Sequence, residues 1–487
     1  MTEGTRIAKN ASWLVGAMSL NKLIAFAYFW AIAKLLGPHI TGTYFFSVSV
    51  TSLFVVLSDL GITQVIILAY AGGREDANRM LGAALKVKLA LLPLAVAASL
   101  GYGWFKGANE ETMLAISIAC LVMAADTIHL MFYGALRGKQ NLRFEAIGML
   151  LGQILTAGSS ITAAFLGFGA KGLVGGLFLG SLWNLVWAWR KTLTQGIRWE
   201  KSTWFDVRHL AHEAVPFAIA GLAVKTYSYL DTLFLEAFHG LTSVGIYSVA
   251  YKMTYALQFV PMTVTAAVYP AIAAAWVKHD HEQIKRTYTG ALRLMAYLGL
   301  GLSAGLSALA PRIIPLVYGE KYLDAVIPFS VLPWVLLALF MDFPLGSLLN
   351  ATKRAHLKTT AMVLTMIINI VLNTILVPKY GPLGAAWASV LSFWSLFFFG
   401  IYFTRRDAGG WRNVMWILAR ALLVAAFSWY VWRGIGSQLS FTLAFLLGTA
   451  TATAGSLLLG IITKQDLDFM LNLRKRVVPQ AEIHEQT

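Results

Sequence analysis

Long apolar stretches separated by short polar connections dominate the sequence. A transmembrane helix needs about 20 mostly apolar residues. Fourteen stretches qualify, at approximately 11–36, 43–70, 81–105, 112–136, 144–168, 172–190, 209–238, 243–276, 288–318, 325–350, 358–378, 381–404, 412–432 and 440–462. The longest polar connection, from about Arg190 to Arg208, is too short for a soluble domain. The pattern predicts an all-α integral membrane protein with 14 transmembrane helices.

Lysine and arginine concentrate in alternate connections between these stretches. With the N-terminus in the cytoplasm, 26 basic residues lie in cytoplasmic connections and termini, and six lie outside. Cytoplasmic loops of membrane proteins carry such an excess of positive charge. We therefore expect a multi-pass protein of a bacterial or archaeal plasma (inner) membrane with both termini in the cytoplasm.

An internal repeat links the first and second halves of the chain. Residues matched at an offset of 203 positions are Lys22 with Lys225, Gly37 with Gly240, Gly42 with Gly245, and Tyr44 with Tyr247. The repeat predicts an N-lobe at 1–200 (helices 1–6) and a C-lobe at 201–408 (helices 7–12). Helices 13–14 at 409–464 and a cytoplasmic tail at 465–487 follow. Because each lobe has an even number of helices, the lobes should be related by a pseudo-two-fold axis along the membrane normal, around a central cavity.

Composition agrees with a membrane protein and excludes several other classes. Of 487 residues, 58% are hydrophobic and 13% are charged, whereas soluble domains carry about 25% charged residues. The net charge of +16 does not form one basic face, which argues against nucleic-acid binding. The single cysteine, Cys120, cannot build a disulfide framework or a thiolate metal site. No phosphate-binding loop, paired carboxylate motif or metal-spaced histidine cluster points to an enzyme or a cofactor.

Three lysines fall at middle depth in predicted helices: Lys22, Lys225 and Lys252. A charge at the bilayer centre costs roughly 2.5–3.5 kcal/mol on insertion scales. Asp231 could neutralise Lys225 or Lys252, but one acid cannot balance three lysines. An anionic substrate, especially a phosphate, would supply the missing negative charge. We therefore expect these lysines to bind such an anionic group, with Asp231 balancing charge in the cavity.

Three aspartates lie toward the cytoplasmic half of predicted helices: Asp59, Asp126 and Asp342. His129 is one turn from Asp126. Intramembrane acids can carry a proton or a sodium ion, and these three are candidates for ion coupling. Hydrogen bonding to neighbouring helices is the other interpretation.

The stretch PFAIAGLAVKTYSYLDTLFLEAFHGLTSVGIYSVAYKM resembles Wzx-type polysaccharide flippases of the multidrug/oligosaccharidyl-lipid/polysaccharide exporter superfamily. That family has a proline opening helix 7, an aspartate after mid-helix and a Val-Gly-x-Tyr-Ser-x-Ala start to helix 8. These fall here on Pro216, Asp231 and residues 244–250. The run KLLGPHITGTYFFSVSVTSLFVVLSDLGI is similar to the family's opening, and the likeness covers about residues 5–405.

The resemblance implies two six-helix lobes, alternating access and export of a polyprenyl-diphosphate-linked oligosaccharide from the cytoplasmic to the outer leaflet. It implies that cationic cavity residues bind the diphosphate, and that glycan-assembly enzymes are partners. Many family members have twelve helices, and the two extra helices here are similar to those of lipid II flippases. A cation-coupled exporter of drugs or other solutes, and a non-transporting scaffold for glycan assembly, are the competing hypotheses.

Overall fold

The computed structural model describes residues 3–463 apart from 406, 408–409 and 435–437. The predicted tail at 465–487 lies outside these residues. The described part of the chain is helical and has no strand. Its helices are α1 Glu3–Phe54, α2 Val56–Asp59, α3 Ile62–Ala71, α4 Ala77–Phe105, α5 Glu110–Gly138, α6 Leu142–Phe165, α7 Gly169–Thr194, α8 Trp204–Ala256, α9 Phe259–Val277, α10 His281–Tyr318, α11 Val326–Val331, α12 Trp334–Ala351, α13 Ala355–Thr404, α14 Gly410–Arg433 and α15 Phe441–Leu458, with a 3-10 turn at Glu320–Ala325.

Eleven segments of the described chain are long and apolar enough to cross a membrane, which makes this a multi-pass membrane protein. Three helices are much longer than one crossing requires, and each contains one glycine with non-helical backbone angles. These are Gly37 in α1, Gly240 in α8 and Gly381 in α13. All three lie at predicted outer connections, so the apolar pattern counts two stretches where the structure has one bent helix. The count of 14 crossings and the two-lobe arrangement stay predictions.

The repeated glycines of the sequence mark a close crossing of α1 and α8. A Cβ atom on Gly42 would lie 1.8 Å from the carbonyl oxygen of Leu241, and one on Gly245 would lie 1.8 Å from that of Pro38. No side chain fits at such a distance. The two helices therefore touch backbone to backbone just beyond their bends at Gly37 and Gly240. This contact joins the first half of the chain to the second half at the bends of α1 and α8.

The beginning of α8 packs on helices from the first half of the chain. Leu210 and Ala214 are buried in an apolar cluster with residues of α3, α4 and α5, and Phe217 packs against it. A Cβ atom on Gly61, between α2 and α3, would lie 2.5 Å from the Cβ of Phe217. Farther along, Tyr227 contacts Phe393 of α13, with ring centroids 5.5 Å apart. The stretch of α8 between these two contacts lines a cavity.

Candidate functional site

Two adjoining chambers lie among the helices and share Val224, Asn350 and Met362 in their walls. The first, here called the lysine chamber, has a volume of about 770 Å³ and is lined mainly by α1, α2, α3, α5 and α8. The second, the tyrosine chamber, has a volume of about 620 Å³ and is lined by α8, α9, α12 and α13. Both volumes are in the range of small-molecule binding sites.

Lys225 of α8 lines the lysine chamber and is partly buried there. Its Nζ atom lies 5.3 Å from the ring centroid of Tyr229, one turn along the helix. Among the described residues it has no ion-pair partner within 4 Å. This ammonium group is therefore available to an anion that enters the chamber.

Lys252 and Lys22 lie elsewhere, so the structure separates the three lysines predicted to form one site. The Nζ of Lys252 is 5.6 Å from the ring centroid of Phe29 and 5.3 Å from that of Phe45, both on α1. Lys22, also on α1, is exposed and close enough to repel Lys252 electrostatically. Neither lysine lines the lysine chamber. Of the three lysines, Lys225 alone lines the lysine chamber.

Asp231 does not pair with either lysine that it was expected to neutralise. Its buried carboxylate accepts hydrogen bonds from the hydroxyl of Tyr247, from the backbone N–H of Thr232 at 2.8 Å and from the hydroxyl of Ser389 at 3.4 Å. No described lysine or arginine lies within ion-pair distance. Asp231 instead joins the two arms of α8 to α13, because Tyr247 follows the bend at Gly240 and Ser389 belongs to α13.

Two of the three candidate coupling acids are held by lysines that the sequence did not assign to them. Asp59 forms an ion pair with the fully buried Lys88 of α4, and accepts a hydrogen bond from Thr63 at 2.7 Å. Asp342 of α12 pairs with Lys358 of α13 at 2.5 Å. Both lysines fall in apolar stretches of the sequence, 81–105 and 358–378, and neither was among the predicted site residues.

Asp126 is the third acid and the least constrained. Its nearest charged or titratable neighbour is His129, at 3.5 Å, and its side chain is 39% exposed. Asp126 and Lys225 both line the lysine chamber. The other charged lining residues, Asp59 and Arg137, are paired with Lys88 and with buried Glu145. Asp126 and Lys225 are therefore the charged lining residues without an oppositely charged lysine, arginine, aspartate or glutamate within 4 Å in the described chain, and Asp59 is close enough to attract Lys225 electrostatically.

A cluster of charged side chains ties the start of α8 to the α3–α4 connection. Arg74 donates to Asp76 and to Glu213 at 2.9 Å each, and Glu213 lies 3.0 Å from His209. The guanidinium group of Arg74 hydrogen-bonds to Asp76 and lowers the pKa of that carboxyl. This cluster holds α8 in position from its first turns.

Comparisons with known proteins agree with this architecture. A family profile described as "Polysaccharide biosynthesis protein" matches residues 7–276, and one described as "MatE" matches residues 216–375. The probable low-salt glycan biosynthesis flippase Agl15 of Haloferax volcanii is 20% identical over 361 residues, which cover 74% of this chain and 75% of that relative.

Two solved structures share the fold over most of their length. The lipid II flippase MurJ in an inward closed conformation has a TM-score of 0.74 at 14% identity, covering 93% of this chain and 99% of that one. An inward-facing multidrug resistance MATE family transporter of the MOP superfamily has a TM-score of 0.62 at 17% identity, covering 79% and 94%. These likenesses concern the fold.

The first profile covers more than half of the chain and includes the repeated glycines, Lys225 and Asp231. The resemblance predicted from the sequence is thereby confirmed. The chain belongs to the polysaccharide biosynthesis protein family, among the flippases of the multidrug/oligosaccharidyl-lipid/polysaccharide exporter superfamily.

Proposed function

We propose that this protein moves a polyprenyl-diphosphate-linked oligosaccharide from the cytoplasmic to the outer leaflet by alternating access. One observation carries the proposal: Lys225 has no ion-pair partner among the described residues, yet it lines a large chamber inside a membrane protein. A cation in this setting is costly unless an anion joins it. The names of the relatives, a glycan biosynthesis flippase and a lipid II flippase, support a lipid-linked substrate.

The proposed pathway begins on the cytoplasmic side. In this proposal the chain crosses the membrane fourteen times, as two six-helix lobes followed by two further helices at 409–464, and both termini are cytoplasmic. The contact of Gly42 with Leu241 and of Gly245 with Pro38 closes the outer side, while the lysine chamber is bordered by Arg137 and Asn350 near basic connections. The diphosphate binds at Lys225 and the prenyl chain stays in lipid. Lys252 of α8 and Lys22 of α1 then form a second binding site for the diphosphate, farther along the transport pathway.

Membrane potential can drive the proposed movement. Carrying one negative charge outward is favoured by about 2.3 kcal/mol per 100 mV when the inside is negative. Asp126 adds a coupling step, because its negative charge faces the chamber that the diphosphate enters. Binding of a proton or a sodium ion at Asp126 reduces this repulsion. Asp59 and Asp342 are less suited to this role, since each already has a lysine as its cation.

A cation-coupled exporter of organic solutes is the second candidate, and the MatE profile at 216–375 favours it. The two functions make opposite demands on Lys225. A cationic solute is repelled by this lysine, whereas a diphosphate requires it. A non-transporting scaffold for glycan-assembly enzymes would leave transport undetectable in reconstituted vesicles.

The test is flipping of a fluorescent polyprenyl-diphosphate-linked oligosaccharide in vesicles containing the purified protein. We expect Lys225→Ala to lower the rate at least about tenfold, a loss of one charge-assisted contact, and Lys225→Arg to retain most of it. Lys171→Ala, at an exposed lysine on α7, is the matched control. Unchanged flipping by Lys225→Ala would refute the proposed role of this lysine.

A further inference from the structure

We infer that the tyrosine chamber binds a neutral pyranose of the glycan, next to the diphosphate at Lys225. The inference rests on the proposed function and names the part of the substrate that each chamber takes. Its basis is an aromatic wall, a charge-neutral lining and a set of polar groups without partners.

Aromatic rings form much of this chamber. Six line it: Tyr227, Tyr251, Tyr255, Tyr269, Phe343 and Phe393. Tyr251 and Tyr255 follow one another on α8 with ring centroids 4.3 Å apart, and Tyr255 lies 5.8 Å from Phe393. The C–H groups on one face of a pyranose carry partial positive charge and pack on the negative face of an aromatic ring. The wall therefore matches the apolar face of a sugar.

The charge of the chamber favours a neutral ligand. Asp342 and Lys358 are the charged residues of its described lining, and they pair with each other. Aromatic cages also attract organic cations. A cationic ligand would, however, need an acid without a counter-charge in this chamber, and the acid present, Asp342, is already paired with Lys358. An uncharged ligand meets no such conflict.

Several polar groups in the lining lack partners within the described chain. The Oδ1 atom of Asp342 is buried and accepts no hydrogen bond, although its Oδ2 binds Lys358. The hydroxyls of Tyr227 and Tyr269, and the side-chain amides of Gln258 and Asn350, make no hydrogen bond to another described residue. Among these groups the Asp342 atom is the buried one, and buried polar groups are ordinarily satisfied, whereas Tyr269 and Asn350 are exposed. A ligand with several hydroxyls can donate to Asp342 and bond to the others.

The two chambers adjoin in the order that the substrate requires. Val224 is part of the walls of both chambers, and its neighbour Lys225 lines only the lysine chamber. Asn350 and Met362 are also shared. A sugar joined directly to a diphosphate can thus occupy the tyrosine chamber while the diphosphate contacts Lys225.

The experiment compares two diphosphate diesters of equal charge that differ in the sugar: the methyl ester of farnesyl diphosphate (here simply called farnesyl diphosphate) and farnesyl diphosphate carrying one N-acetylglucosamine. Their affinities for the purified full chain are measured by calorimetry. We expect the sugar to strengthen binding about tenfold in the wild type, and Tyr269→Leu or Tyr255→Leu to reduce that gain to about twofold or less while leaving the affinity for farnesyl diphosphate unchanged. Tyr269→Phe, which keeps the ring, is expected to retain most of the gain.

Tyr430→Leu, at an exposed tyrosine of α14, is the matched control and should keep the full gain. Equal affinity of the wild type for both probes, or a gain unaffected by Tyr269→Leu, would overturn the inference. Binding of tetraphenylphosphonium that depends on Tyr269 and displaces the sugar probe would do so too, in favour of a cationic solute. If neither diphosphate binds, the proposed function itself fails, so the two failures are distinguishable. Because Tyr269 is 43% exposed, its replacement should not disturb folding.

Discussion

Lys88 is fully buried in α4 and forms an ion pair with Asp59 at the end of α2, whose carboxylate borders the lysine chamber. The side chain of Lys88 is thus inaccessible to solvent, whereas that of Asp59 is 36% exposed. The pair connects the chamber to the helices behind it.

We expect Lys88→Met to lower the stability of the protein by up to about 3 kcal/mol, because Asp59 loses its counter-charge in a mostly apolar setting. The double variant Asp59→Asn/Lys88→Met should recover much of this loss, since no charge is left unpaired. Thermal unfolding of the purified protein measures both effects, with Lys171→Met as the control. Equal stability of the single variant and the wild type would contradict the role assigned to the pair.

Asp126→Asn should strengthen binding of farnesyl diphosphate severalfold, because it removes a negative charge from the chamber that contains Lys225. The other groups that face Asp126 are His129, Lys225 and the pairs Asp59–Lys88 and Arg137–Glu145. Asp324→Asn, outside both chambers, is the control for the calorimetric titrations.

Gly42→Ala and Gly245→Ala should each reduce flipping at least about tenfold, since the added methyl group collides with backbone that cannot move aside. The distance from the new Cβ to the facing carbonyl oxygen would be 1.8 Å at both positions. Gly101→Ala and Gly158→Ala are matched helical controls with nothing within 4 Å of the new atom. Normal flipping by both crossing variants would show that this contact can open without cost.

Asp76→Asn should reduce stability slightly at neutral pH, because both side chains of the ion pair with Arg74 are in contact with solvent, Arg74 31% and Asp76 25% exposed. Hydrogen bonding from Arg74 lowers the pKa of Asp76 in the folded protein. The contribution of Asp76 is therefore fully present above its unfolded pKa of about 4 and is lost as pH falls through the lower folded value. Unfolding temperatures of variant and wild type should converge in acid, and a constant difference down to pH 2 would argue against this linkage.

The sequence could predict an all-helical, multi-pass membrane protein because that prediction depends on apolar patterns along the chain. The offset that relates Gly42 to Gly245 even anticipates the crossing of α1 and α8, where the two residues lie together. Lys225 could also be recognised from the sequence, because a charged residue within an apolar stretch is unusual however the helices pack.

Partner assignments could not be made in the same way. Asp231 was expected to meet a lysine, yet Tyr247 and Ser389 satisfy it, because the rotation of one helix against another depends on side-chain packing that no single stretch encodes. Lys358 stands at the first position of the predicted stretch 358–378, and apolar stretches define helix ends only approximately. Its long side chain nevertheless reaches Asp342 from the first turn of α13.

The packing of α8 has a mechanical consequence. Its start is fastened to α3 and α4 through Leu210 and Ala214, and its later turns are fastened to α13 through Asp231. A displacement of α13 relative to α4 must therefore change the shape of α8 itself, between Ala214 and Asp231. This interval begins beside Pro216 and contains Lys225. The residue proposed to hold the substrate thus lies on the segment of α8 that such a displacement would bend, so a ligand bound at Lys225 would act on that segment directly.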